Sequence, residues 1–230
     1  MGIHFSLGAQ IYGCTDPQAN NYDPDASIND GTCLYSNTTS GPNLSLPLPN
    51  GVSETSGLFF FDGKYWTHND DTDAMFFAID SISAEVVDTV FWDGLINVDW
   101  EECQINESYL VVGDIGNNLG NRTDLKFFLI PLFDFYSNNL SVVDTILFSY
   151  ADQTNFSPSL NNHDFDAEAF VVTMDSIFIF SKCWSSETTK RYSLPLQAGI
   201  QTATLRETYN TNGLITGAAF FNQNQSIALT

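Results

Sequence analysis

The chain has 230 residues, enough for one large domain or two small ones, and a hydrophobic content of 43% excludes a disordered chain. Its 28 Asp and Glu stand against 7 Lys and Arg, a net charge of -21. Such a field repels phosphate backbones and anionic membranes, which argues against a nucleic-acid partner, and it attracts divalent cations.

The 19 Phe and 9 Tyr suit pleated, half-buried surfaces, and no window carries sustained apolar spacing at i, i+3, i+4, so the expected class is all-β. No run reaches the ~18 apolar residues of a membrane span. Of the four cysteines, Cys14, Cys33, Cys103 and Cys183, none forms a C-x-x-C pair, which removes the usual zinc spacing.

Residues 1–9, MGIHFSLGA, read as the tail of an export signal, with Gln10 as the first mature residue. The basic start of such a signal is missing, and the other reading is an ordinary first strand. Residues 10–35 form a knot of turn signals: Asp16-Pro17, Asp23-Pro24 and Asp30-Gly31. A Cys14–Cys33 bridge would close a loop of about 20 residues and contribute on the order of 3 kcal/mol, a natural staple for a unit with little core.

The run from Gly13 to Cys33, G-C-T-D-P-Q-A-N-N-Y-D-P-D-A-S-I-N-D-G-T-C, resembles a module of exported bacterial proteins that use type IX secretion, itself distantly similar to thrombospondin type 3 calcium repeats. The resemblance implies a secreted or outer-surface protein. It also implies Ca²⁺ at Asp16, Asn20, Asp23, Asp25 and Asp30, where the alternative is that these side chains cap turns. Residues 36–50 are rich in Ser, Thr, Asn and Pro and read as a linker, in which Leu44-Ser45-Leu46-Pro47-Leu48 has the alternation of an outer strand that closes a ring.

From residue 51 to 230 the chain repeats itself. Hairpins are expected at 56–70 around Asp62-Gly63, at 99–114 around Asn106-Glu107, at 166–181 around Met174-Asp175, and at 216–230 around Asn222–Gln225. A third strand follows each of the first three hairpins (74–79, 126–132, 190–196), and then a fourth (85–91, 143–150, 201–206). Four short strands per repeat is a propeller-blade signature, so the expectation is a partial β-propeller of about three and a half blades starting near Ser56, Asp99, Asp166 and Thr216. Further blades from a longer gene, or from partner copies, would complete the ring.

Glu54-Thr55-Ser56-Gly57-Leu58, Tyr65 to Asp70, Asp99-Trp100-Glu101, Val112 to Asn118 with Arg122, and Phe165 to Ala169 resemble the SdiA-regulated and esterase-like phytase propellers of exported bacterial proteins. That resemblance implies the fold and, as one reading, extracellular phosphoester or ester hydrolysis.

Residues i and i+2 of a strand share a face, so Asp99 with Glu101 and Asp166 with Glu168 each point one way. Equivalent pairs on neighbouring inner strands would gather carboxylates at a channel mouth, where they recruit Ca²⁺ or else cap turns. For hydrolysis, the acid and base candidates are His68 and His163 with Asp70, Asp114 and Asp164. The polar loop Gly116–Arg122 suits a recognition role for a glycan, peptide or protein ligand. Cys103 and Cys183 are either a second disulfide or two buried thiols, and spacing does not choose. The reading ranked first is a binding or structural surface module, Ca²⁺-dependent; the alternative is the hydrolase.

Overall fold

The computed structural model describes residues 10–36, 41–137, 143–221 and 226–230. The expected signal remnant (1–9) and the last hairpin turn (222–225) lie outside the described residues. Two compact units divide between Ser45 and Leu46.

In the small unit, β1 (Tyr12–Gly13) pairs in parallel with β2 (Ile28–Asn29), and Cys14 is bonded to Cys33 with their Cα atoms 4.8 Å apart. Among the described residues here, Cys14 and Ala19 are the buried apolar side chains, so the bridge replaces a core. Cys33→Ser is expected to remove about 3 kcal/mol from this unit. Limited proteolysis should then cleave within residues 10–36 far sooner than in the parent, with the rest of the chain unaffected.

The outer strand expected at Leu44–Leu48 does not form. The segment belongs to no sheet, and Leu44, Leu46 and Leu48 are exposed. Pro47 supplies no N–H to a ladder, which confines such a segment to an edge or to no sheet at all.

Among the described residues of the large unit, the elements are strands and one 3-10 turn, Leu132–Asp134. No helix among the described residues is long and apolar enough to cross a membrane. The first sheet is an antiparallel meander of β3 (Thr55–Phe61), β4 (Lys64–Asn69), β5 (Met75–Ile79) and β6 (Val86–Phe91). Its first turn has Asp62 at φ 49° and Gly63 at φ 75°, the two positive angles of a type I′ hairpin. The second quartet is β7 (Trp100–Ile105), β8 (Tyr109–Asp114), β9 (Lys126–Pro131) and β10 (Asp144–Tyr150). The third is β11 (Asp166–Val172), β12 (Ser176–Lys182), β13 (Thr189–Pro195) and β14 (Gly199–Tyr209), and a hairpin of β15 (Ala218–Phe221) and β16 (Ser226–Leu229) follows.

The described strands thus fall close to the expected positions, but the second and third quartets are not separate sheets. β10 and β14 pair in parallel, from Ile146↔Gly199 to Tyr150↔Ala203. The second and third quartets become one eight-stranded sheet whose end strands, β7 and β11, lie beside each other in a nearly closed, barrel-like arrangement. The length of β14 makes this work. Its first half pairs with β10, while residues 204–209 pair with β13.

The leading strands stand in a row, β3 beside β7, β7 beside β11, β11 beside β15. Between them lie three apolar layers. Phe59, Trp66 and Phe76 of the first sheet meet Leu110, Val112 and Ile130 of the second quartet. Phe127, Leu129 and Phe148 meet Phe170, Ile179 and Tyr192. Val171 and Phe180 meet Phe220 and Leu229. Phe135, which no strand pattern marks, plugs the first layer, with Trp66 and Trp92 rings at 4.8 and 5.8 Å.

Candidate functional site

The leading strands share one irregularity. β3 slips register against β4 between Thr55 and Leu58, β7 against β8 between Trp100 and Glu102, and β11 against β12 between Ala167 and Ala169. The extra residues are Ser56 with Gly57, Glu101, and Glu168. Such a bulge re-aims the inserted side chain, and here it does so at the same end of three adjacent strands.

Glu101 is 9% exposed. Ser56 donates its hydroxyl to the Glu101 backbone carbonyl, and the same hydroxyl stands 3.4 Å from Glu101 Oε2. One hydroxyl has one proton, so the carbonyl contact leaves the carboxyl without a strong donor. Burial, reinforced by the charges of Glu168, Asp99, Asp166 and Asp70, pushes Glu101 up to about 9. Asp99 is raised to about 6, again by burial first, with Arg122 opposing.

Gly116 lets the two carboxyls converge. A Cβ there would collide with Asp99 Oδ2 and stand 2.5 Å from Glu101 Oε1, so both oxygens face one point on the loop after β8.

The other two acids expected at this mouth are engaged by the protein. Asp166 accepts from the Asn117 and Ala167 backbone N–H groups at 2.7 and 3.0 Å and from Trp184 Nε1 at 2.8 Å. Glu168 pairs with Lys182, which offsets part of the rise that burial gives its carboxyl. The four carboxyls thus share a neighbourhood, and Asp99 and Glu101 are the donor-poor pair within it.

One acidic group escaped the sequence reading. Glu54, Asp70 and Asp71 bring ligand oxygens within 4.8 Å of one another, the one such trio among the described residues. Asp70 Oδ1 is buried without a hydrogen-bond partner, and the Asp70 and Asp71 charges raise the Glu54 carboxyl. The signal lay in the hairpin register, since Thr55 opposite Asn69 sets Glu54 next to Asp70.

The five residues expected to hold Ca²⁺ in the small unit mostly make local contacts. Asp16 accepts from Gln18 N and the Tyr35 hydroxyl, Asp23 from Asp25 N, and Asp30 from Thr32 N and its hydroxyl. Asn20 pairs with Ser36, and Asp25 is exposed.

Both imidazoles are committed as well. His68 is fully buried between Phe76 and Trp100. Its Nε2 accepts from Gly57 N at 3.2 Å, which puts the proton on Nδ1, donated to Asn69 O at 2.8 Å. Burial lowers it to about 4, so the ring is neutral. His163 accepts from Phe165 N through Nδ1 and donates to Asn118 O through Nε2. Of the three acids expected beside them, Asp114 is held by Arg122 and Lys126 and Asp164 by the backbone of Ser185 and Ser186, while Asp70 keeps an unpartnered Oδ1.

The loop Gly116–Arg122, expected to recognise a ligand, is tied down as a clamp. Asn117 holds Asp166 and the Phe165 carbonyl, and Arg122 holds Asp114, Asp124 and the Gly116 carbonyl. The second disulfide does not form. Cys103 and Cys183 are free, buried thiols, one in the layer between the first two repeats and the other beside Ser181 and Asp164.

At the opposite end of the leading strands is a groove of about 610 Å³ bordered by Gln104, Ile105, Asn106, Met174 and Phe220, with Glu107 and Asp175 at its rim. Met174 is 80% exposed there.

Stacked antiparallel meanders with carboxyl-bearing bulges define the class this chain can be placed in, an all-β repeat protein with an acidic axial end. Beyond that class, no family model and no curated protein matches the chain.

Proposed function

We propose that this chain is a secreted or outer-surface binding module of the β-propeller type, with Ca²⁺ held at the acidic end of its leading strands. The observation that supports it best is the Asp99–Glu101 pair: two carboxyls that meet beside Gly116, one of them nine-tenths buried, with almost no donors. Oxygen-only chemistry suits Ca²⁺, and the nearby Glu54, Asp70 and Asp71 add oxygens of the same kind. The groove near Met174 and Phe220, of ligand size, is where this reading places a glycan or peptide. The Cys14–Cys33 bridge suits an oxidising compartment.

Two measurements test it. Ca²⁺ titrated against thermal melting at pH 8 should raise the midpoint, by about 2.7 kcal/mol of stabilisation at a hundredfold excess over Kd. Asp99→Asn should abolish most of that rise; no shift at millimolar Ca²⁺ removes the metal from the proposal. Glycan and peptide arrays probed with the labelled chain should give ligands whose binding falls in Met174→Glu. Uniformly blank arrays remove the binding role.

The hydrolase alternative retains no free imidazole nitrogen at His68 or His163. Background turnover of generic phosphoesters and esters is the expected result.

A further inference from the structure

The first sheet is apolar on both faces. One face, Phe59, Trp66, Phe76 and Ala78, is buried against the second quartet. The other carries Leu58 and Phe60 on β3, Tyr65 on β4, and Phe77 and Ile79 on β5, and ladder pairing puts all five on one side. Leu58 is 61%, Phe60 54% and Tyr65 45% exposed. An antiparallel sheet with one solvated face would alternate apolar with polar residues, and this one does not.

Register shows what such a face is for. Leu58, Phe60, Tyr65 and Ile79 occupy the positions held in the second quartet by Cys103, Ile105, Leu110 and Ile130. In the third quartet the same positions are Phe170, Val172, Ile177 and Leu194. In both later repeats this face is packed against the preceding repeat, and the terminal hairpin seats its Phe220 and Leu229 on the third quartet in the same way. The chain thus makes one kind of contact three times, leading face onto trailing face. Among the described residues of the large unit, no strand packs on the leading face of its first sheet, and a groove of about 370 Å³ lies there beside Leu48. The terminal hairpin has the converse, a trailing face of Ala219, Phe221 and Ala228, with Phe221 51% exposed.

We propose that these two free faces are partners, so that the trailing face of the β15–β16 hairpin of one copy seats on the leading face of the first sheet of a second copy. The contact continues an interface the chain already builds internally. It is heterologous, using two different surfaces, and so it closes into a ring or extends head to tail. An apolar face this continuous marks such a contact.

The test uses the full chain in sedimentation velocity from micromolar to hundreds of micromolar. The parent should sediment as assemblies that grow with concentration. Phe60→Lys, on the leading face, and Phe221→Lys, on the trailing face, should each abolish assembly. Both replace exposed side chains, and Tyr65→Glu serves as a second leading-face variant should Phe60→Lys not fold. The deciding arm is a mixture: equimolar Phe60→Lys and Phe221→Lys still hold one intact pair of faces between them and should form a heterodimer, while each alone has no intact pair and should stay monomeric. A parent that is monomeric throughout overturns the proposal and leaves the face to a different chain. Assembly untouched by either substitution overturns it too, because the contact then lies elsewhere.

Discussion

Gly57→Ala is expected to be the most destabilising single methyl in this protein. A Cβ at this position would stand 2.5 Å from Cys103 N, 2.6 Å from Cys103 Sγ and 2.7 Å from His68 Nε2. Two of these neighbours cannot yield. Cys103 N belongs to the backbone of β7, and the His68 ring is fixed by bonds at both nitrogens. The methyl would push β3 away from β7 and stretch the Gly57 N–H bond to His68, leaving a buried imidazole nitrogen unpaired. Overpacking alone costs about 1–3 kcal/mol, and an orphaned buried polar group about as much again. For a chain of this size, a loss of about 4 kcal/mol lowers the melting midpoint by roughly 8–16 °C. Thermal unfolding followed by circular dichroism measures it. A midpoint within about 2 °C of the parent would mean that the strands separate freely and that the seam is not rigid. Cys103→Ala in the Gly57→Ala background should recover part of the loss, since it removes the sulfur the methyl strikes.

The second large effect is on pH. Without divalent cations, the fold should lose stability as pH rises from 6 to 9. Glu101 is raised to about 9, Glu102 to about 8 and Asp99 to about 6, all chiefly by burial. In Glu102 the N–H groups of Cys103 and Leu58 offset part of the rise. A carboxyl raised on folding binds its proton more tightly in the native state than in the unfolded chain. Its stabilisation is therefore complete below the unfolded value and is lost as pH passes the folded one. Each tenfold gain in proton affinity on folding corresponds to about 1.4 kcal/mol, so several kcal/mol should disappear across this window. Glu101→Gln, which keeps the shape of the protonated group, should flatten the midpoint-against-pH curve measured in chelator. Superimposable curves for parent and variant would show that Glu101 does not titrate in this range. Millimolar Ca²⁺ should restore the parent's midpoint most at pH 9, where proton and metal no longer compete, and should do little at pH 5.

These two expectations come from features the sequence carried unequally. The repeat was legible because a strand has a period of two and a hairpin has a turn signature. Asp62-Gly63 and the alternation of Leu58, Phe60, Tyr65 and Ile79 are local facts. The Asp99–Glu101 and Asp166–Glu168 steps were visible as positional markers for the same reason. Their different fates were not visible. Asp166 is held by Asn117, 49 residues away, and by Trp184, while Glu168 meets Lys182 across a hairpin. Asp99 and Glu101 remain without such donors. The surroundings of the two histidines were hidden on the same ground. His68 and His163 look free in a string of letters, and their nitrogens are taken by backbone groups that only folding brings near.

By itself, the sequence determined the strands, their order, the small disulfide-stapled unit and the sign of the electrostatic field, because each depends on short-range pattern or on simple composition. The tertiary structure decided the rest. It joined β10 to β14, a parallel pairing between residues more than 50 apart that no local period encodes. It chose free thiols over a bridge for Cys103 and Cys183, and it turned the polar loop at Gly116 into a clamp. It also left one apolar face of the first sheet open. Partnership, burial and the supply of hydrogen-bond donors are properties of distance, and distance between remote residues is set only when the sheets stack.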